Sequence, residues 1–180
     1  MPVSSLPELT VRRLARVSSA ELDALTTLLI DCVEGGASVG FMLPIDAVRA
    51  GAFWRGVAAS LERGERLLFV AEERGAILGT VQLVLQQPEN QPHRADISKM
   101  LVRRSARRRG LGAALMRAAE REAGAAGKSL LVLDTASADA ERLYERLGWQ
   151  RCGTVPGYAL LPRGGRCDTT YFYRVLDEQT

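Results

Sequence analysis

Three cysteines, one histidine and an aromatic content of 6% are what this 180-residue chain has least of. Cys32, Cys152 and Cys167 are odd in number and far apart, which argues against a disulfide framework and supplies no closely spaced pair of zinc ligands. They read as buried or incidental thiols in a reducing, cytoplasmic setting. His93 is the only histidine; set in a loop of proline and asparagine, it reads as a surface residue, and no metal is expected. No apolar run approaches the ~18–20 residues that a membrane helix needs. Residues 1–9 lack a basic stretch followed by an apolar one, so no secretory leader is expected either.

What remains is ordinary globular material. Apolar residues make up 47% and charged residues 25% of the chain, and the length suits one α/β domain with a single core, spanning residues 1–180. The net charge is only +3, yet Arg103, Arg104, Arg107, Arg108 and Arg109 crowd one short segment. Such a cluster is a solvated loop, a nucleic-acid patch or a cradle for a small polyphosphate. A nucleic-acid module would add base-stacking aromatics or a broader basic face. Neither is present, so no nucleic-acid partner is expected.

The apolar pattern predicts a strand at 9–14, then a helix capped by Ser18 or Ser19 that runs to about 32 with Leu22, Leu25, Leu28 and Leu29 on one face. Residues 34–42 are glycine-rich and irregular. Pro44 and Asp46 suit the start of a second helix, which would carry Val48, Phe53 and Val57 toward Arg63. Strands at 67–71 and 77–85 form a hairpin turning near Arg74-Gly75. A strand at 95–102 leads through the arginine loop into a helix at about 110–126, with Leu111, Ala114, Leu115, Ala118 and Ala119 as its apolar stripe. The wholly apolar strand 130–133 reads as buried on both faces. A short helix follows, with Ala140, Leu143 and Leu147 inward and Gly148 ending it. Strands at 149–155 and 169–175 close the chain. Helices alternate with strands only in the middle, so the expected fold class is α/β: a mixed, partly antiparallel sheet with helices on both faces.

Chemistry concentrates in Arg107-Arg108-Arg109-Gly110-Leu111-Gly112, between an apolar strand and a helix. Gly110 and Gly112 allow a bulky anion close to the backbone. The free N–H groups of the helix's first turn and its dipole can grip phosphate oxygens, and the guanidiniums add charge-assisted hydrogen bonds. The segment is neither a Walker A loop nor a G-x-G-x-x-G fingerprint.

It resembles the R/Q-x-x-G-x-G/A pattern of the GNAT superfamily of acyl-CoA-dependent N-acyltransferases, placed after the strand Met100-Leu101-Val102. Leu131-Val132-Leu133-Asp134, followed by Ala140-Glu141-Arg142-Leu143-Tyr144-Glu145-Arg146-Leu147-Gly148-Trp149, resembles that family's second pattern, a helix bearing Leu-Tyr before Gly and an aromatic. The resemblance covers most of the chain from about Leu67 onward. Within the superfamily, residues 35–42, Pro156-Gly157-Tyr158 and residues 94–112 are similar to the tabtoxin-resistance members, which implies a small, amino-acid-like toxin as acceptor. One departure is Ser137, where many members carry Asn three residues before the Ala of N-x-x-A-x-x-L-Y; its hydroxyl can still cap the helix and face the pantetheine arm.

The resemblance implies transfer of acetyl from acetyl-CoA to the primary amine of a small molecule, with protein lysine or N-terminal acetylation as the alternative. Backbone groups of Met100, Leu101 and Val102 would pair with pantetheine and polarise the thioester carbonyl. Arg107, Arg108, Arg109, Gly110, Leu111, Gly112 and Ala113 would bind the pyrophosphate region, with Ser137 nearby. Tyr144 matches the tyrosine that protonates the departing sulfur. A base must take a proton from the acceptor ammonium, and two carboxylates compete for that role or for holding the ammonium: Asp96 on the strand before the loop and Asp134 at the end of the next. The loops at 34–44 and 156–166, with Phe41, Met42 and Tyr158, are expected to wall the acceptor. Monomer and homodimer both remain open.

Overall fold

The structure, a computed structural model, describes residues 9–176. The reading of residues 1–8 as free of a leader lies outside them. In chain order the elements are β1 (Leu9–Leu14), α1 (Ser19–Glu34), α2 (Ala47–Glu62), β2 (Arg66–Glu73), β3 (Ala76–Val84), β4 (Arg94–Val102), α3 (Leu111–Ala125), β5 (Leu130–Thr135), α4 (Ala138–Arg146), β6 (Gln150–Leu160) and β7 (Arg166–Val175), with a single 3₁₀ turn at Arg104–Ala106 before α3. The strands form one seven-stranded sheet in the order β1-β2-β3-β4-β5-β7-β6. Only β4 and β5 run parallel; the other neighbours are antiparallel. No helix among the described residues is long and apolar enough to cross a membrane.

Local chemistry accounts for the element ends. Ser18 and Glu21 form a reciprocal capping box at the start of α1, satisfying two of the N–H groups a helix leaves free. Asp46 caps α2 by accepting from the Arg49 amide at 2.8 Å. Ser137 does the same for α4, accepting from the Ala140 amide at 3.3 Å. Arg74 and Gly75 both take positive φ, 52° and 78°, as a two-residue turn between twisted antiparallel strands requires.

The sheet separates two apolar clusters. On one face α3 and α4 pack Leu111, Leu115, Met116, Ala119 and Tyr144 against Phe69, Val81, Leu131, Leu133 and Phe172. On the other, α1 and α2 pack Leu25, Leu28, Leu29, Trp54 and Val57 against Leu14, Leu68, Val70 and Leu101. On α2 the buried stripe runs through Ala50, Trp54 and Val57, the spacing that keeps one helical face on the sheet, while Val48 is 73% exposed. β5 departs from expectation. Leu131 and Leu133 are buried but Val132, on the opposite face, is only half-buried. The last hairpin is tighter than predicted, since β6 continues to Leu160 and leaves only residues 161–165 to turn.

The segment that links β4 to α3 is anchored to the end of α1. Asp31 accepts from the Arg104 amide at 2.8 Å and from its Nε at 2.9 Å. Burial pushes the Asp31 carboxyl up, but these Arg104 contacts outweigh it and hold it below its ordinary 3.8. A depressed carboxyl contributes stability that is complete above its unfolded pKa and disappears as pH falls through the lower folded value. Asp31→Asn is therefore expected to cost about 1 kcal/mol at neutral pH, a charged hydrogen bond discounted for solvent screening at half-exposed Arg104. Denaturant unfolding of both proteins from pH 7 to pH 2 checks it: the difference should shrink below about pH 4.

Candidate active site

Pairing between β4 and β5 is short. Arg94, Ala95 and Asp96 align with Leu130, Leu131 and Val132, and there the ladder stops. Beyond Asp96 the β4 edge facing β5 has no strand partner, so its backbone groups are available to an extended ligand. β5 continues by pairing with β7 on its other side, and the two parallel strands part into a cleft of about 1040 Å³.

β4 carries a bulge at the mouth of this opening. Its register against β3 slips by one residue between the pairs Gln82–Ser98 and Thr80–Leu101, and Lys99 takes φ 50°. One extra residue reverses the alternation of faces. Ala95 and Ile97 belong to the α3-side cluster, whereas past the bulge Met100 and Val102 pack there and Leu101 lies in the α1/α2-side cluster. Lys99 is thereby turned out of the α3-side core and into the cleft.

At one end the cleft is bounded by Val102, Ala106, Arg107, Arg108, Gly110, Leu111, Gly112 and Ala113. Gly110 caps α3 in the left-handed region, φ 83°, a conformation that costs a side-chain-bearing residue roughly 1–3 kcal/mol. It leaves the first α3 amides uncovered, an anion site by geometry and dipole. Gly112 has a further reason to be glycine: a Cβ there would meet Leu143 Cδ2 at 2.9 Å, so it also permits the close approach of α4. The arginines divide. Arg104 pairs with Asp31 and Glu34, and Arg109 pairs with Glu73 away from the cleft. Arg107 and Arg108 line the cleft and have no carboxylate partner among the described residues. Arg109, expected with them, lies outside the cleft lining.

The facing wall is α4 and the turn before it. Ser137 lines the cleft together with Asp139, Arg142, Leu143, Tyr144 and Arg146. Sequence reasoning missed Arg142 and Arg146, whose i,i+4 spacing on a short helix places both on one face. Tyr144 is 4% exposed, packed edge-on against Phe172 at 5.7 Å. Burial, with the charge of Asp134 adding to it, pushes its phenol well above the usual value, so it remains a proton donor throughout the physiological range.

The far end is a chamber on the α1/α2 side of the sheet. Ser98, Lys99, Asp134 and Thr169 line it below; Gly35, Gly36, Ser38, Gly40, Tyr158 and Leu161 line it above. The roof joins the two loops expected as walls. Ser38 Oγ donates to the Leu160 carbonyl at 3.3 Å, the Leu43 amide to the Pro162 carbonyl at 3.0 Å, and Arg163 to the Glu34 carbonyl at 2.8 Å. Tyr158 takes part, accepting from Tyr171 Oη at 3.0 Å. That bond, then burial and the charge of Asp134, push the Tyr171 phenol up to about 12. Phe41 and Met42 do not line the cleft: Phe41 packs on Phe53 at 5.4 Å and Met42 points outward at 37% exposure.

The two candidate carboxylates part company. Asp134 lies in the chamber, one oxygen accepting from Thr169 Oγ1 at 2.7 Å. Asp96 sits at the last β4–β5 pair, outside the lining, with its carboxylate held by the Arg94 guanidinium. Of the two carboxylates weighed as the base, only Asp134 therefore reaches the chamber. Lys99 is the chamber residue that sequence reasoning did not find. A lysine in the middle of a strand with β character was the available sign.

A family model described as acetyltransferase (GNAT) family matches residues 24–149. The chain is 34% identical over 131 residues, 72% of its length and 76% of the relative's, to a protein of Azospirillum brasilense described as an uncharacterized N-acetyltransferase in the hisH-hisA intergenic region. Among solved structures, an N-acetyltransferase from Staphylococcus aureus Mu50 shares the fold at TM-score 0.78 and 20% identity, covering 94% of this chain and 99% of that one. A putative acetyltransferase from Salmonella typhimurium, solved with acetyl-CoA, does so at TM-score 0.77 and 22% identity, covering 95% of each. A parted β4–β5 pair, a glycine-capped α3 with two free arginines and a matching family model over most of the fold identify this chain as an acyltransferase of the acetyltransferase (GNAT) family.

Proposed function

We propose that the protein transfers acetyl from acetyl-CoA to the primary amine of a small, amino-acid-like molecule. The observation that carries this reading is one continuous cleft, running from the Arg107–Arg108–Gly110 end, through the opening beyond Asp96, to a roofed chamber. A long thioester cofactor fits the first two parts and a small acceptor the third. The roof, cross-linked by hydrogen bonds between the 35–43 and 160–163 segments, favours a compact acceptor over an extended protein segment. The similarity of residues 35–42 and 156–158 to tabtoxin-resistance members makes a β-lactam amino-acid toxin an acceptor to test first. The free thiols and the use of acetyl-CoA support a cytoplasmic setting.

In this reading Arg107, Arg108 and the α3 amides after Gly110 hold the pyrophosphate. The open β4 edge at Met100, Leu101 and Val102 aligns the pantetheine arm and donates to the thioester oxygen as negative charge builds there. Ser137 and Ala113 border the arm. Asp134 attracts the acceptor ammonium and supports its deprotonation, and Tyr144 gives its proton to the departing sulfur. The decisive experiment is an amine-acceptor screen that reads free thiol released from acetyl-CoA; silence across the panel in a protein that binds acetyl-CoA would overturn the proposal.

Three outcomes are expected. Replacing Arg107 and Arg108 together by glutamine should weaken acetyl-CoA binding by roughly 10-fold or more in calorimetry, while Arg109→Gln should change it little. Tyr144→Phe should lower kcat by roughly 10²-fold, within or just below the usual contribution of a general acid because thiolate is already a fair leaving group, with acetyl-CoA affinity retained. Rate should rise with pH as the acceptor ammonium loses its proton, and Asp134→Asn should depress kcat or raise KM for the amine. Full activity with an unchanged pH profile in that variant would remove Asp134 from the mechanism.

A further inference from the structure

The bulged lysine is the group in the chamber that the acetyl-transfer steps leave unused. A non-glycine residue in the left-handed region is strained, and Lys99 is held there at φ 50° in the middle of a strand. The strain has a geometric result: Ser98 and Lys99, consecutive in sequence, both face the cleft. The ammonium stands 5.6 Å from the centroid of the Phe53 ring. It lies 4.0 Å from the point where a Cβ on Gly40 would sit, so the roof passes close above it.

Among the described residues no carboxylate pairs with this ammonium, although twelve ion pairs occur elsewhere. The charges that act on it are Asp134, whose carboxylate is engaged by Thr169, and the positive Arg66, which is bound to Ser60 and Gln82. Burial lowers the amine's pKa from its ordinary value against the opposing pull of Asp134. A largely desolvated cation without a counter-ion is costly, and a chamber that keeps one is complementary to a ligand carrying the missing anion.

We infer that Lys99 holds a carboxylate of the acceptor, so that the molecule acetylated is a zwitterion, its ammonium toward Asp134 and its carboxylate toward Lys99. This names the substrate class of the acetyl-transfer reading above and rests on it. A wholly cationic acceptor, such as an alkylamine, a polyamine or a lysine side chain, meets repulsion from Lys99 on entering the chamber. An amino acid or amino-acid-like molecule meets an opposite charge at each end. Lys99 is thus a specificity-determining residue: it decides which amines enter, while Asp134 and Tyr144 handle the protons.

The test compares amino acids with their carboxamides, which keep the side chain and the amine but lose the carboxylate. Thiol release from acetyl-CoA gives kcat/KM for each member of a pair, and the acid-to-amide ratio is the readout. The amide's less basic amine affects every variant equally, so a change in the ratio between variants reports Lys99 alone. Relative to the unaltered protein, Lys99→Met should lower the ratio about 10-fold or more, the effect of losing one charge-assisted contact. Lys99→Arg should preserve most of it. An identical ratio in the protein and in Lys99→Met would overturn the inference while leaving acetyl transfer intact. Absence of thiol release from both series would overturn the acetyl-transfer reading, and this inference with it.

Discussion

Three residue pairs join β4 to β5, and the site exists because there is not a fourth. A parallel ladder that continued past Asp96–Val132 would seal the sheet and leave no backbone for a ligand to meet. The separation is fixed from both sides. β5 is tied along its whole length to β7, from Leu130–Val175 to Thr135–Thr170, and Leu131 and Leu133 are buried against the α3-side cluster. β4 is tied to β3 but carries one residue too many for that ladder. An extra residue bends and twists a strand locally, so the bulge at Lys99 sits where β4 leaves its parallel neighbour. Opening and bulge belong to one deformation, paid for by the flanking antiparallel pairs.

The same logic sorts the arginines. A run of like charges in a loop would repel itself and any fixed conformation. Here Asp31 and Glu34 at the end of α1 take Arg104, and Glu73 at the end of β2 takes Arg109. These pairs lock the segment from both flanks, and Arg107 and Arg108 are left facing the cleft beside the Gly110 cap. Two charges serve as anchors and two are left for an anion. On the opposite wall Arg142 is paired with Asp139, and Arg146 adds a positive charge to the cleft lining.

Much of this was legible in the sequence, for identifiable reasons. Caps, turns and the α3 stripe depend on neighbours within four residues, so Ser18, Asp46, Gly110 and Arg74-Gly75 could be read directly. The loop pattern around Gly110 and the Leu143-Tyr144 helix are local in the same sense, and both line the cleft. What was not legible depends on register. Asp96 and Asp134 both read as strand carboxylates near the opening, and only the pairing of Asp96 with Val132 and with Arg94 puts it outside. Lys99 in an unbulged strand would share the face of Ile97, inside the α3-side core; a one-residue slip in β3–β4 pairing turns it to the chamber. On α2 the sheet selected the face through Ala50, Trp54 and Val57 and left Val48 exposed, a choice made by tertiary packing that hydrophobicity alone does not reveal.

The chamber's electrostatics revolve around one carboxylate. Asp134 raises the proton affinity of Tyr144 and Tyr171 and resists the loss of the Lys99 proton. For the proton donation proposed for Tyr144 this is useful, since an acid that must deliver a proton late should not lose it early. For the proposed acceptor amine it cuts both ways. The field that draws an ammonium into the chamber also stabilises the protonated form, which cannot attack a thioester. Lys99 supplies the counterweight, because a positive charge in the same chamber lowers the proton affinity of a nearby amine. In the proposed zwitterionic acceptor, a carboxylate bound to Lys99 would relax that counterweight in part, so the balance between holding the acceptor and activating it would be set by how Lys99 and Asp134 divide the two ends of the molecule.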